Sequence, residues 1–150
     1  MTLLIIGYGN PLRGDDAFGF RAAEELQALF IDNREVVVLP VHQLTPELAA
    51  DIARAGEVIF IDASAEGECG KFSSRPVQPA EETSPAISHY STPEGLLASA
   101  LALYGRVPPA VLYSVRGESF EYGAGLTPAV DQALIRAVAE VKAEIAATCP

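Results

Sequence analysis

Apolar residues fall into two kinds of pattern along this chain. Leu3-Leu4-Ile5-Ile6 and Val58-Ile59-Phe60-Ile61 are unbroken apolar runs, as strands buried on both faces require. Glu35 to Leu39 is a β-branched strand, and Ala110 to Val115 reads as another. Elsewhere apolar residues recur at helical spacing. Phe18, Ala22, Leu26 and Leu29/Phe30 form one stripe, with Arg21, Glu24, Glu25 and Gln27 off it. Leu96, Leu97, Ala100 and Leu103 form a second, and Val130, Leu134, Val138, Val141 and Ile145 a third. Thr45-Pro46-Glu47, Thr92-Pro93-Glu94 and Thr127-Pro128 each read as an N-cap followed by Pro at the first helical position. The helix from Pro46 to about Ala55 is expected to stop at Gly56 as a C-terminal glycine. Residues 65 to 88, rich in Pro, Gly and Glu, form an irregular excursion with one edge strand at Lys71 to Val77. Arg116 to Leu126 is a loop carrying Gly117, Gly123 and Gly125.

Strand and helix therefore alternate almost throughout. The expected fold is α/β, a three-layer sandwich with a largely parallel twisted sheet of about five strands and helices on both faces. Right-handed crossovers place the ends of the first and third strands on the same rim. With 150 residues, the chain suits a single domain over 1–150.

Charge narrows the partners. A formal net charge of -10, with Lys and Arg scattered, argues against phosphate-backbone binding and against an anionic membrane surface. Cys69 and Cys149 have no metal or redox spacing and read as free thiols in a reducing compartment. No apolar run approaches a membrane span, and residues 2 to 7 read as strand without the flank or cleavage motif of a signal peptide. A cytoplasmic location is expected.

Candidate chemistry centres on Gly7-Tyr8-Gly9 and the acidic pair Asp15-Asp16 at the start of the first helix. A dinucleotide fingerprint would place a third glycine where Leu12 stands, and a carboxylate after the second strand where the chain runs into Pro40-Val41-His42. Two acids at a helix start would also repel a pyrophosphate. The structural alternative for Asp15 and Asp16 is an N-cap and a helix-dipole partner. The crossover argument gathers Asp16, Asp62 at the end of the third strand and His89 before the next helix on one rim, with His42 after the second strand as a further candidate. Two carboxylates and an imidazole suit a borderline divalent ion such as nickel, zinc, iron or manganese. Capping for Asp62, a buried hydrogen-bonded role for His89 and a loop role for His42 are the plain alternatives. An Asp16/Asp62 dyad sharing one proton is another arrangement. No Gly-x-Ser-x-Gly elbow is present, and neither Cys has a motif partner.

The sequence resembles the hydrogenase maturation proteases, the endopeptidases that trim the C-terminus of the nickel-iron hydrogenase large subunit. The matching residues are Gly7-x-Gly9-Asn10-x-Leu12-x-x-Asp15-Asp16-x-x-Gly19, Ile61-Asp62-Ala63, Ser88-His89, Gly117-Glu118-Ser119-Phe120-Glu121 and Gly125-Leu126-Thr127-Pro128-Ala129-Val130. The resemblance implies metal ligation by Asp16, Asp62 and His89, aspartic-type catalysis by Asp16 and Asp62, and a hydrogenase large-subunit precursor as partner. Nickel would be brought by that precursor, near a C-terminal Cys cluster, and the free enzyme would be largely metal-free. The chain departs from the family at Ala17, where many members have glycine, and at Val41-His42-Gln43-Leu44-Thr45-Pro46, where many have a Gly-rich turn. A non-catalytic chaperone or ligand-binding α/β domain, or a Rossmann-like nucleotide-binding protein, are the rival readings.

Overall fold

A computed structural model describes residues 2–81 and 91–148. Five strands form one sheet in the order β2-β1-β3-β5-β4, comprising β1 (Leu3–Tyr8), β2 (Val36–Val41), β3 (Glu57–Ser64), β4 (Phe72–Val77) and β5 (Ala110–Arg116). The first four in that order run parallel, and β4 pairs antiparallel with β5 at the edge. Helices α1 (Phe18–Leu29) and α4 (Pro128–Thr148) cover one face, over a core that includes Ile5, Ile59, Ile61 and Val115. Helices α2 (Leu48–Arg54) and α3 (Pro93–Tyr104) cover the other, over Leu4, Ile6, Phe60 and Leu112. The expected α/β sandwich is thus the observed one.

Alternate residues of each strand face alternate layers, which is why both sheet faces are apolar and the central runs are unbroken. The connections from β1 to β2 and from β2 to β3 lead to opposite sides of β1. The crevice at the carboxyl ends of β1 and β3 is therefore the topological switch point, where α/β sheets bind ligands.

Glycine brings α1 down onto that crevice. A Cβ on Gly19 would lie 2.1 Å from the Ile61 carbonyl oxygen and 2.6 Å from that of Tyr8, and one on Gly7 would lie 2.1 Å from the Gly19 carbonyl oxygen. No side chain fits at either position without pushing the helix off the sheet.

Several boundaries differ from those expected. Strand β2 continues through Pro40 and Val41, which pair with Gly7 and Tyr8. It is an edge strand, so the missing proline N–H breaks no interior ladder. Helix α2 begins at Leu48, not Pro46, because Leu48 N–H donates to Thr45 O (3.1 Å) and Ala49 N–H to Pro46 O (3.1 Å) in a preceding turn. Its N-cap is Glu47, with no side-chain capping bond, so Thr45 is not the cap. Nor is Gly56 a left-handed terminator. Ala55 is already extended, and the Gly56 N–H donates to Thr2 O at 2.8 Å. The α3 start is as expected, with Thr92 Oγ1 accepting from Gly95 N–H at 3.0 Å and Pro93 opening the helix. Leu103 is 71% exposed and Leu29 53%, so the buried stripes of α3 and α1 are narrower than their apolar sequences; Phe30 packs on the core in place of Leu29.

Candidate active site

The acidic pair divides its work. Gly14–Ala17 form a 3-10 turn ahead of α1, whose N-cap is Ala17 without a side-chain bond. Asp15 is fully buried, and its carboxylate accepts from Glu118 N–H (2.7 Å), Ser119 N–H (3.1 Å), Thr127 N–H (2.8 Å) and Thr127 Oγ1 (2.9 Å). Neither acid caps α1, because the intervening turn sets both one step before the helix. Asp15 is instead a latch for the loop from β5 to α4. Burial works to raise its pKa, but the bonds from Thr127, Glu118 and Ser119 prevail and hold the carboxyl below its ordinary value.

Asp16 turns to the rim, where its Oδ2 accepts from Asn10 N–H at 2.8 Å. That bond fixes Asp16 against the Gly9 turn, where φ is 148° and a Cβ would lie 1.8 Å from the Asp16 carbonyl oxygen. Asp62 lies across the crevice on β3, partly buried, and its Oδ2 accepts from the Tyr8 hydroxyl at 2.5 Å. Burial pushes the Asp62 carboxyl up to about 6, the Tyr8 bond opposes the rise, and the charge of Asp16 adds to it. The Tyr8 phenol is driven far above its ordinary range by burial and by Asp62, so it stays a neutral donor. The fold therefore brings Asp16 and Asp62 close enough to interact. No hydrogen bond among the described residues joins them; Asp62 accepts from the Tyr8 hydroxyl and Asp16 from the Asn10 N–H.

A cavity of about 630 Å³ opens from Tyr8 and Asp62 along the α3 side of the sheet, toward Ser114, Arg116 and the first residues of α3. Arg75 of β4 closes it by bonding Glu94 of α3 at 2.9 Å. Part of the irregular excursion, including Glu66, Glu68 and Lys71, lines the same cavity.

Of the other candidates, His42 lies tilted against Phe20, with ring centroids 5.2 Å apart, and does not line the cavity. His89 lies outside the described residues, as does Cys149, while Cys69 is free and exposed. Among the described residues no group of three or more His, Cys, Asp or Glu side chains could hold a metal ion.

Tyr8 was not singled out from the sequence, although its signal was present. Leu4, Ile6 and Tyr8 alternate onto one face of β1, just as Val58, Phe60 and Asp62 do on β3. A first strand over residues 2 to 7 stops one residue short of that relation. Tyr8→Phe removes the bond that orients the Asp62 carboxylate and leaves the ring's packing intact. Loss of such an orienting partner around a reacting or ligating group typically costs about 10- to 100-fold. Activity at this site should fall by that factor in Tyr8→Phe, with unchanged thermal unfolding cooperativity; wild-type rates would remove Tyr8 from the site.

No protein-family model matches the chain. It is 29% identical over 150 residues to the hydrogenase 2 maturation protease of Escherichia coli (strain K12), covering 97% of this chain and 91% of that protein. Its fold matches the hydrogenase maturating endopeptidase from E. coli with a TM-score of 0.77 at 28% identity, over 99% of this chain and 94% of that one. A NiFe hydrogenase maturation protease from Thermococcus kodakarensis matches with a TM-score of 0.73 at 28% identity, over 96% and 91% of the two chains.

Proposed function

We propose that this relative of the hydrogenase maturation proteases is an endopeptidase that removes the C-terminal extension of a nickel-loaded hydrogenase large-subunit precursor. The observation that carries the reading is a pair of carboxylates at the β1–β3 crevice, Asp62 lining a cavity large enough for a peptide segment and Asp16 near enough for its charge to act on Asp62. The whole-length likeness in sequence and fold to solved maturation endopeptidases supports it.

In this reading the enzyme works through its carboxylates. Water adds to the scissile carbonyl carbon, Asp62 takes the water's proton, and that proton passes to the departing amide nitrogen as the C–N bond breaks. A carboxyl lifted by burial to about 6 is a stronger base than an exposed one and remains largely ionised at neutral pH. Tyr8 keeps the carboxylate oriented, and Asn10 does the same for Asp16. Asp16, Asp62 and His89 are the proposed ligands for the nickel carried by the precursor. Two carboxylates and an imidazole without a thiolate suit an ion already held by sulfur on the substrate better than a resident closed site. The free protein is then largely metal-free, and nickel insertion licenses the cut.

Intact-mass analysis of a co-expressed precursor tests the reading. Cleavage is expected for the wild type with nickel-loaded precursor only, and Asp16→Ala, Asp62→Ala and His89→Ala should each abolish it, while His42→Ala should be mild. Equal cleavage of nickel-free precursor, or full activity of His89→Ala, would overturn the nickel-reading site. Binding of precursor without any mass loss would replace the peptidase with a chaperone.

A further inference from the structure

Beyond Asp62 the cavity floor changes character. On the α3 side of the sheet, Phe60 and Leu112 are apolar and packed, but the next row in register is Asp62, Ser114 and Ser73. Short hydroxyl side chains leave room where the neighbouring row is filled. The row after that is Ser64 and Arg116, with Lys71 joined to Arg116 through the Arg116 N–H to Lys71 O bond of 3.1 Å. Two cationic residues with paired backbones thus line one end of a cavity in a chain whose net charge is -10.

These cations differ from Arg75, whose guanidinium is occupied by Glu94 at 2.9 Å. Arg116 Nη1 donates to the Gly117 carbonyl, but Arg116 Nε is buried and has no hydrogen-bond partner among the described residues. A buried donor left without an acceptor costs about 1–3 kcal/mol, and native structures carry few of them. Lys71 forms no ion pair among the described residues, although the exposed Glu66 and Glu68 share its wall. A wall of mixed sign disfavours a multiply charged anion and suits a single carboxylate.

We infer that the Arg116–Lys71 end of this cavity is a specificity subsite that binds one carboxylate of the substrate peptide. This rests on the peptidase reading above. Arg116 lies two residues beyond Ser114, the register partner of Asp62. That is roughly 8 Å from Asp62 at about 3.3 Å per residue and 4.8 Å per strand. An extended peptide advances about 3.4 Å per residue. The bound carboxylate therefore sits about two or three residues from the bond that is cut, and the floor of Ser73 and Ser114 leaves space for the chain between. The carboxylate is either an Asp or Glu side chain or the peptide's own C-terminus.

Three acetylated pentapeptides that differ only at the last position separate these sources. One ends in amidated Glu, one in amidated Gln and one in Ala with a free carboxylate. Each is titrated into the full-length protein and followed by NMR shifts of the β4 and β5 amides. The Glu or the free-carboxylate peptide should bind at least about fivefold more tightly than the Gln peptide, and whichever leads names the source. The preference should vanish in Arg116→Gln, survive in part in Arg116→Lys and fall about threefold in Lys71→Gln, whose exposed position spares the fold. Equal binding of all three peptides, no binding at millimolar concentration, or an unchanged preference in Lys71→Gln and Arg116→Gln would overturn the subsite. Intact-mass assays on the same proteins keep the two readings apart. Carboxylate preference without cleavage of any precursor counts against the peptidase and leaves the subsite standing; normal cleavage without the preference removes the subsite alone.

Discussion

Asp62→Asn is expected to slow precursor processing by orders of magnitude while making the protein more stable at neutral pH. The two effects share one cause. The carboxyl is partly buried and is lifted from its ordinary value of 3.8 to about 6, chiefly by burial. Its folded-state pKa is raised, so the stability linked to its protonation is fully present below about pH 4 and is lost as pH rises through about 6. At pH 7 the ionised group therefore costs up to roughly 3 kcal/mol. Asn keeps the acceptor for the Tyr8 hydroxyl and removes the charge that Asp16 repels. Thermal midpoints of variant and wild type should agree near pH 4, separate between about pH 4 and 6, and differ by several degrees at pH 7, at roughly 2–4 °C per kcal/mol for a chain of this size. Processing should fall about 10²- to 10⁴-fold, the usual contribution of a positioned acid or base. A variant less stable than wild type at every pH would show that Asp62 is held for structure and not for chemistry.

Asp15→Ala should be the most destabilising substitution at the rim, and its pH dependence has the opposite sign. The change strips the acceptor from the N–H groups of Glu118, Ser119 and Thr127 and from the Thr127 hydroxyl, around a carboxylate that is 0% exposed. Each orphaned buried donor costs about 1–3 kcal/mol, and the set reaches the exceptional range above about 4 kcal/mol. The expected fall in thermal midpoint is roughly 8–16 °C. Asp15→Asn keeps the shape but turns an amide N–H toward donors, so it should be intermediate. The folded-state pKa of Asp15 lies below its ordinary 3.8, so its contribution is present above that value and lost as pH falls through the folded pKa. The gap between wild type and Asp15→Ala should accordingly narrow on acidification, as the Asp62→Asn gap does, but wild type is the more stable protein in the first pair and the less stable in the second. Processing should be lost too, because the latch fixes the turn that carries Asp16. A midpoint within about 2 °C of wild type would contradict the latch.

The adjacent acids thus have unrelated tasks, and no one-dimensional argument separates them. Both read from the sequence as helix-start carboxylates. Only the 3-10 turn decides that Asp15 points inward to a loop more than a hundred residues later while Asp16 faces the rim. The same limit applies to Tyr8, which reaches Asp62 because β1 extends to Tyr8, one residue past its last pairing with β3. It applies to Arg116 and Lys71 as well, which line one cavity because β5 pairs with the chain entering β4.

What the sequence determined by itself was whatever depends on local periodicity. The unbroken runs Leu3–Ile6 and Val58–Ile61 specify interior strands, because only a strand covered on both faces removes every residue of such a run from water. The α4 stripe of Val130, Leu134, Val138, Val141 and Ile145 specifies its buried side for the same reason. Alternation of the two element types, with right-handed crossovers, then sufficed to put Asp16 and Asp62 on one rim. Tertiary structure decided where each carboxylate points and which donors meet it. Those outcomes depend on strand register and on the close seating of α1 over Gly7 and Gly19, which are set by contacts between residues far apart in the chain.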